Sequence, residues 1–166
     1  LNLNCYGVEQ DAGSFTRSTM DILRKGDHFA VRVINDPGTI TRTISARAGT
    51  GADTGSVPRK GFEANAPQGS VELNTWQLFS VVFKGGMVQF YLDGIPVGAP
   101  SEGSLGDPDF SSLILGSFDG TPDYERFLDG QIDDLAIWDR PLGEAEILEL
   151  ADKDVAGPPA VEVQPV

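Results

Sequence analysis

The chain has 166 residues, about one ordinary domain, with 40% apolar content for a core and with 20 glycines and 11 prolines, more than a helical bundle tolerates. Twenty-five acidic against twelve basic residues give a net charge of −13, which makes the chain a poor candidate for binding nucleic acid or anionic membrane through a basic face. No apolar run is long enough for membrane insertion, and the lone Cys5 excludes a disulfide within the chain.

The chain opens Leu1-Asn2-Leu3-Asn4-Cys5, without an initiator methionine or a charged-then-apolar leader, which reads as a processed mature protein or an excised piece. Cys5 is read as an ordinary thiol on a strand. Phe29, Val31 and Val33 alternate with Ala30, Arg32 and Ile34, the period of a strand. Asn35-Asp36-Pro37-Gly38 then supplies turn chemistry, because proline presets φ and glycine accepts positive φ. Ile40, Ile44 and Ala46 share one face of the next strand, opposite Thr41, Thr43 and Ser45, so the pair is predicted to be a hairpin. The segment 48–70, rich in Gly, Ala, Pro and Thr, is predicted to be a long loop.

Three strands joined by two tight turns follow. Gln77–Lys84 leads through Gly85-Gly86 into Met87–Leu92, and Asp93-Gly94 reverses the chain again into Ile95-Pro96-Val97. Pro96 has no N–H to donate, which argues for a strand end or an edge there. Leu113–Leu115 is a short strand, and Gln131–Trp138 is predicted to be the last one. Helical character is confined to the segment from Gly143, where Ile147, Leu150 and Ala151 fall together and the early glutamates suit a helix N-terminus. The tail Ala156–Val166 has three prolines and no periodicity, and reads as an arm or linker.

Trp76 opening a strand, Phe90-Tyr91-Leu92-Asp93-Gly94 closing a hairpin, Leu113-Ile114-Leu115-Gly116, then Gly130-Gln131-Ile132-Asp133-Asp134-Leu135 and Glu144-Ala145-Glu146-Ile147 occur in that order. This series resembles the laminin-G-like, concanavalin-A-like jelly-roll superfamily, whose relatives include the pentraxins. The match spans Trp76 to Leu150. Residues 1–75 match more loosely, so either Leu1–Tyr6 is the opening strand or part of the sandwich is removed or supplied from elsewhere. The resemblance implies an all-β fold, a two-sheet antiparallel jelly-roll sandwich with one short C-terminal helix. The domain is expected over residues 1–154, with residues 155–166 as the proline-rich arm. Trp76 and Trp138 are expected in or at the edge of the core.

Relatives with this fold include laminarinase-type glucanases, whose Glu-x-Asp-x-x-Glu strand projects paired carboxylates into a cleft. Gln131 and Ala136 stand at the two glutamate positions here, so no catalytic residue is assigned and the domain is not expected to be an enzyme. Calcium is the candidate cofactor, because a hard cation takes several oxygen ligands. Six acidic residues crowd the stretch from Asp119 to Asp134, against one arginine, Arg126. The resemblance points to Asp119 after the "ILG" strand, and to Asp133 or Asp134 on the "I-D-D" strand. Asp133 also shares parity with Leu135 and Ile137, which are expected on the packed face, where a carboxylate needs a partner or a metal.

These readings together describe a non-catalytic extracellular or cell-surface module that binds glycan or extracellular protein. The 48–70 and 119–129 segments are its expected contact loops. The alternative is a structural subunit of a cell-surface fibre, layer or adhesin, a homo-oligomer assembled through the C-terminal arm by strand addition of Val161-Glu162-Val163.

Overall fold

The computed structural model describes residues 2–3, 18–26, 28–35, 42–48, 62–72, 75–103, 105, 110–117, 128 and 130–154. Three strands in a row, β2 (Ser18–Lys25), β3 (Phe29–Asn35) and β4 (Arg42–Ala48), pair antiparallel and form the centre of a five-stranded sheet. The short strands β5 (Phe62–Asn65) and β9 (Leu113–Leu115) flank them, in the order β5-β4-β3-β2-β9. A second, three-stranded sheet is the meander β6 (Phe79–Lys84), β7 (Met87–Leu92) and β8 (Ile95–Glu102). Among the described residues, β1 (Asn2–Leu3) pairs with β10 (Gly130–Gln131) in a separate two-stranded ladder.

Parity decides which side chains meet between the sheets. On the five-stranded sheet, Met20, Val33 and Ile44 form one cross-strand row and Leu23, Val31, Ala46 and Ala64 form another, and all are buried. An irregularity between Asp21 and Leu23 sets two steps of β2 against one step of β3. Such a bulge changes side-chain parity. Met20 before it and Leu23 after it therefore both face the core, although they are three positions apart, a spacing that puts residues of a regular strand on opposite faces. On the meander, Val88, Phe90 and Leu92 face inward beside Phe83, Val81 and Phe79 of β6. Burial of side chains of this size contributes roughly 1.5–3 kcal/mol each, and this shared apolar layer holds the sandwich together.

The two tight turns are as predicted. Gly85 and Gly86 (φ +59° and +78°) and Asp93 and Gly94 (φ +49° and +80°) both run through the left-handed region, the requirement of the hairpin turn that matches strand twist. Asp93 adds an exchange with the strand before it: its N–H donates to Leu78 O at 2.8 Å, and its Oδ1 accepts from Leu78 N at 2.8 Å. Pro96 lies on β8, an edge strand of the meander. Helix α1 (Glu144–Asp154) packs on the outer side of this sheet through Ile147 and Ala151, which are almost fully buried. It lies against the β7–β8 turn, since a Cβ on Gly94 would meet Leu148 and Ala151 at 3.0 Å. Tyr91 is buried on that outer side. Burial pushes its phenol pKa up, and the negative charge of Glu144 adds to the shift.

Four expectations need correction. β5 lies inside the segment predicted to be all loop; residues 49–61 of that segment, like Cys5, Asp36–Gly38, the 118–127 stretch and the C-terminal arm, lie outside the described residues. The predicted strand Gln131–Trp138 is paired only at Gly130–Gln131, and Asp134 takes a positive φ of 50° that breaks strand geometry. Leu135 and Ile137 are 45% and 58% exposed, so the face expected to be packed is open. Trp76 and Trp138 are also half exposed, at 41% and 46%, rather than in the core.

Candidate functional site

The outer face of the five-stranded sheet carries charge where an open sandwich face would carry scattered polar residues. Register places Asp21, Arg32, Ser45 and Asn65 in one row across four strands, and Arg24, Ala30, Arg47 and Glu63 in the next. Arg32 Nη2 lies 2.7 Å from Glu63 Oε1, and Arg24 Nη1 lies 4.0 Å from Asp21 Oδ2. Asp21 and Ser45 are completely buried and Arg32 nearly so. Charges withdrawn from water are costly unless compensated; Arg32 is compensated by Glu63 at 2.7 Å, whereas the Arg24–Asp21 approach, at 4.0 Å, is longer than a hydrogen bond. A face with no solvent access at its centre ties strands together and is not an open binding surface. Sequence reasoning missed this row. Its signal was present in part, since Asp21, Arg32, Ser45 and Asn65 alternate with the apolar rows of β2, β3, β4 and β5, although Ala30 and Ile34 of β3 share the same face.

A second feature is open to solvent. Trp138, Arg140, Leu142, Glu146, Glu149 and Leu150 line a hollow of about 180 Å³ where the extended segment after β10 meets helix α1. Helical spacing brings Glu146, Glu149 and Leu150 onto one face, beside the face that buries Ile147 and Ala151. Arg140 grips Glu146 with a two-point fork, Nη1 to Oε2 at 2.9 Å and Nη2 to Oε1 at 2.6 Å. The Gly143 N–H donates to the same Oε2 at 2.9 Å, and Ile147 N donates to Gly143 O at 3.1 Å. Glu146 thus reaches back to the residue that begins the helix, half of a capping box, while the fork fixes the guanidinium at the rim.

The arginine hydrogen bond and then the Gly143 amide hold the Glu146 carboxyl at about 2, below its ordinary 4.5. A depressed folded-state value means the contribution to stability is complete above the unfolded pKa. It is lost as pH falls through the folded value, a window from about 4.5 down to about 2. A carboxyl-detected NMR titration is expected to give Glu146 a midpoint near 2, and Arg140→Gln should move it upward. An unchanged midpoint in the variant would show that the fork does not form in solution.

The residues predicted to hold metal are placed as follows. Asp119 lies outside the described residues. Asp133 and Asp134 are adjacent and exposed, and Asp133 Oδ1 accepts from Asp134 N at 2.9 Å. Asp133 therefore lacks the burial that would have demanded a metal partner. Among the described residues no three His, Cys, Asp or Glu side chains gather at a point that could hold a metal. Two exposed carboxylates fall short of the six to eight oxygens that calcium takes, so the described residues alone do not fit the ion.

The two packed antiparallel sheets and the outer helix define a jelly-roll sandwich of the lectin type. Residues 10–148 match the laminin G family described as the concanavalin A-like lectin/glucanases superfamily. The chain belongs to that superfamily, which contains both lectins and glucanases. No curated protein matches the chain. Among solved structures it is similar to an S-layer domain-containing protein (residues 221–444) from Clostridium thermocellum ATCC 27405, known at 2.1 Å. That similarity is 20% identity at a TM-score of 0.42, covering 89% of this chain and 69% of that one. No helix among the described residues is long and apolar enough to cross a membrane.

Proposed function

We propose that this domain is a non-catalytic, extracellular recognition module whose ligand is a glycan, or a protein at a cell surface. Membership of a superfamily of lectins and glucanases carries the sugar-directed part of the reading. The non-catalytic part is supported by Gln131 and Ala136, which stand where the glucanase strand has its two glutamates. It is also supported by the sheet's outer face, where Asp21 and Glu63 project from strands separated by two others. Neighbouring strands are about 4.8 Å apart, so their backbones are separated by about 14 Å, and Glu63 is engaged by Arg32. Paired catalytic carboxylates stand about 5–9.5 Å apart.

Calcium remains part of the proposal through Asp119, Asp133 and Asp134, with Asp119 or backbone oxygens needed to complete a shell. A glycan array read with calcium and after chelation tests the whole reading, accompanied by a reducing-end assay on laminarin and by sedimentation. Binding without sugar release is the expected result, and loss of binding on chelation would support calcium. Release of reducing ends would overturn the non-catalytic claim. A blank array together with concentration-dependent self-association would favour the structural subunit, the reading to which exposed Leu135 and Ile137 lend weight.

A further inference from the structure

We propose that the Trp138 hollow seats one neutral, gluco-configured pyranose ring of a β-linked glycan, an inference that rests on the glycan reading above. A pyranose with equatorial hydroxyls has C–H groups on both faces and hydroxyls around its rim. Its recognition calls for a flat apolar surface beneath and hydrogen-bonding groups at the edge. Trp138 is 46% exposed, and an indole left in water at that extent presents such a surface. The rim is polar and already ordered. The fork to Glu146 uses two of the five N–H donors of the Arg140 guanidinium, so the group is held in place with donor capacity remaining. Glu149 supplies carboxylate oxygens on the helix side.

Size and charge narrow the ligand further. A hollow of about 180 Å³ is small beside the roughly 300–1,000 Å³ of pockets that enclose drug-sized ligands, so it suits a single ring of a chain that continues over the surface. Glu146 and Glu149 line it against the one cation, Arg140, whose charge Glu146 already offsets. On a chain of net charge −13, this excludes sulfated and uronic sugars by repulsion. Neutral β-glucose and β-N-acetylglucosamine units meet both conditions.

The sequence has two tryptophans, which makes an internal control available. Cello-, laminari- and chito-hexaose, with a heparin hexasaccharide as the anionic probe, would be titrated while the two indole N–H resonances are followed. The Trp138 signal is expected to shift with a neutral hexaose while Trp76, which does not line the hollow, stays still. Trp138→Ala should weaken binding at least about tenfold, Trp138→Phe should retain much of it, and Trp76→Ala should leave it unchanged. If a neutral hexaose binds without moving the Trp138 signal, the seat lies elsewhere and glycan recognition stands. If only heparin binds, the neutral-ring assignment is overturned. If none binds and the array is blank, both this seat and the glycan reading fall.

Discussion

Replacing Phe90 with alanine is expected to destabilise the domain by about 3–5 kcal/mol, the range for deleting a buried aromatic side chain. Phe90 is 2% exposed at the middle of β7. Its strand neighbours in register are Val81 on one side and Val97 on the other. Its ring stacks on Phe79 with centroids 6.2 Å apart and planes at 21°. The truncation therefore removes transfer energy, a ring–ring contact and the packing between two sheets at once, and the pleated backbone around it cannot collapse to fill the gap. Domains of this size have total stabilities of about 5–15 kcal/mol, so the variant should melt much earlier. Urea unfolding should show a lower midpoint at unchanged slope, because the surface exposed on unfolding is nearly the same. Phe90→Leu, which refills most of the volume, should lose far less. A loss below about 1 kcal/mol for the alanine variant would mean that the two sheets do not pack through β7.

The parts of the fold that were legible in the sequence are those where local chemistry and tertiary context agree. Val31 and Val33 face a core, and a glycine follows each left-handed turn position at Gly86 and Gly94, so alternation and turn signals point the same way. β2 failed that test. The bulge after Asp21 breaks the period of two, so Met20, Ile22 and Leu23 do not alternate although all three are buried. β5 is four residues long and sits in a stretch whose glycine and proline content reads as loop. At the other extreme, Gln131–Trp138 alternates well but Asp134 breaks strand geometry, so Leu135 and Ile137 are exposed. Periodicity reports amphipathic potential, whereas a ladder also needs a neighbouring strand.

The same contrast runs through the site. Acidic density drew the sequence reading to Asp119, Asp133 and Asp134, yet Asp133 and Asp134 are exposed and meet no third metal-ligating side chain among the described residues. Among the charges that the fold buries, Asp21 and Arg32 sit on successive strands and become neighbours only through strand pairing. The Trp138 hollow depends likewise on helix α1 lying beside the extended segment, a tertiary arrangement that a motif read along the chain does not contain. Residue type was legible there, and exposure was not.

Gly94 tests that arrangement directly. Its φ is +80°, and a Cβ there would stand 3.0 Å from Ala151 Cβ, Leu148 Cα and Leu148 Cδ1. Gly94→Ala therefore meets two separate penalties: a left-handed conformation for a residue with a side chain, about 1–2 kcal/mol, and overpacking against the helix, about 1–3 kcal/mol. Gly85 separates them, because it has a φ of +59° and a Cβ added to it would meet nothing within 4 Å, so it carries only the first. Gly94→Ala is expected to cost about 2–5 kcal/mol and Gly85→Ala about 1–2 kcal/mol, measured by denaturant unfolding of both. Backbone atoms of Leu148 cannot rotate away as a long side chain would, so relief requires the whole helix to move. Helix displacement should in turn disturb the hollow, and the Trp138 indole resonance should shift in Gly94→Ala but not in Gly85→Ala. Equal costs in the two variants would show that α1 does not rest on the β7–β8 turn, and the geometry assigned to Trp138, Glu146 and Glu149 would lose its support.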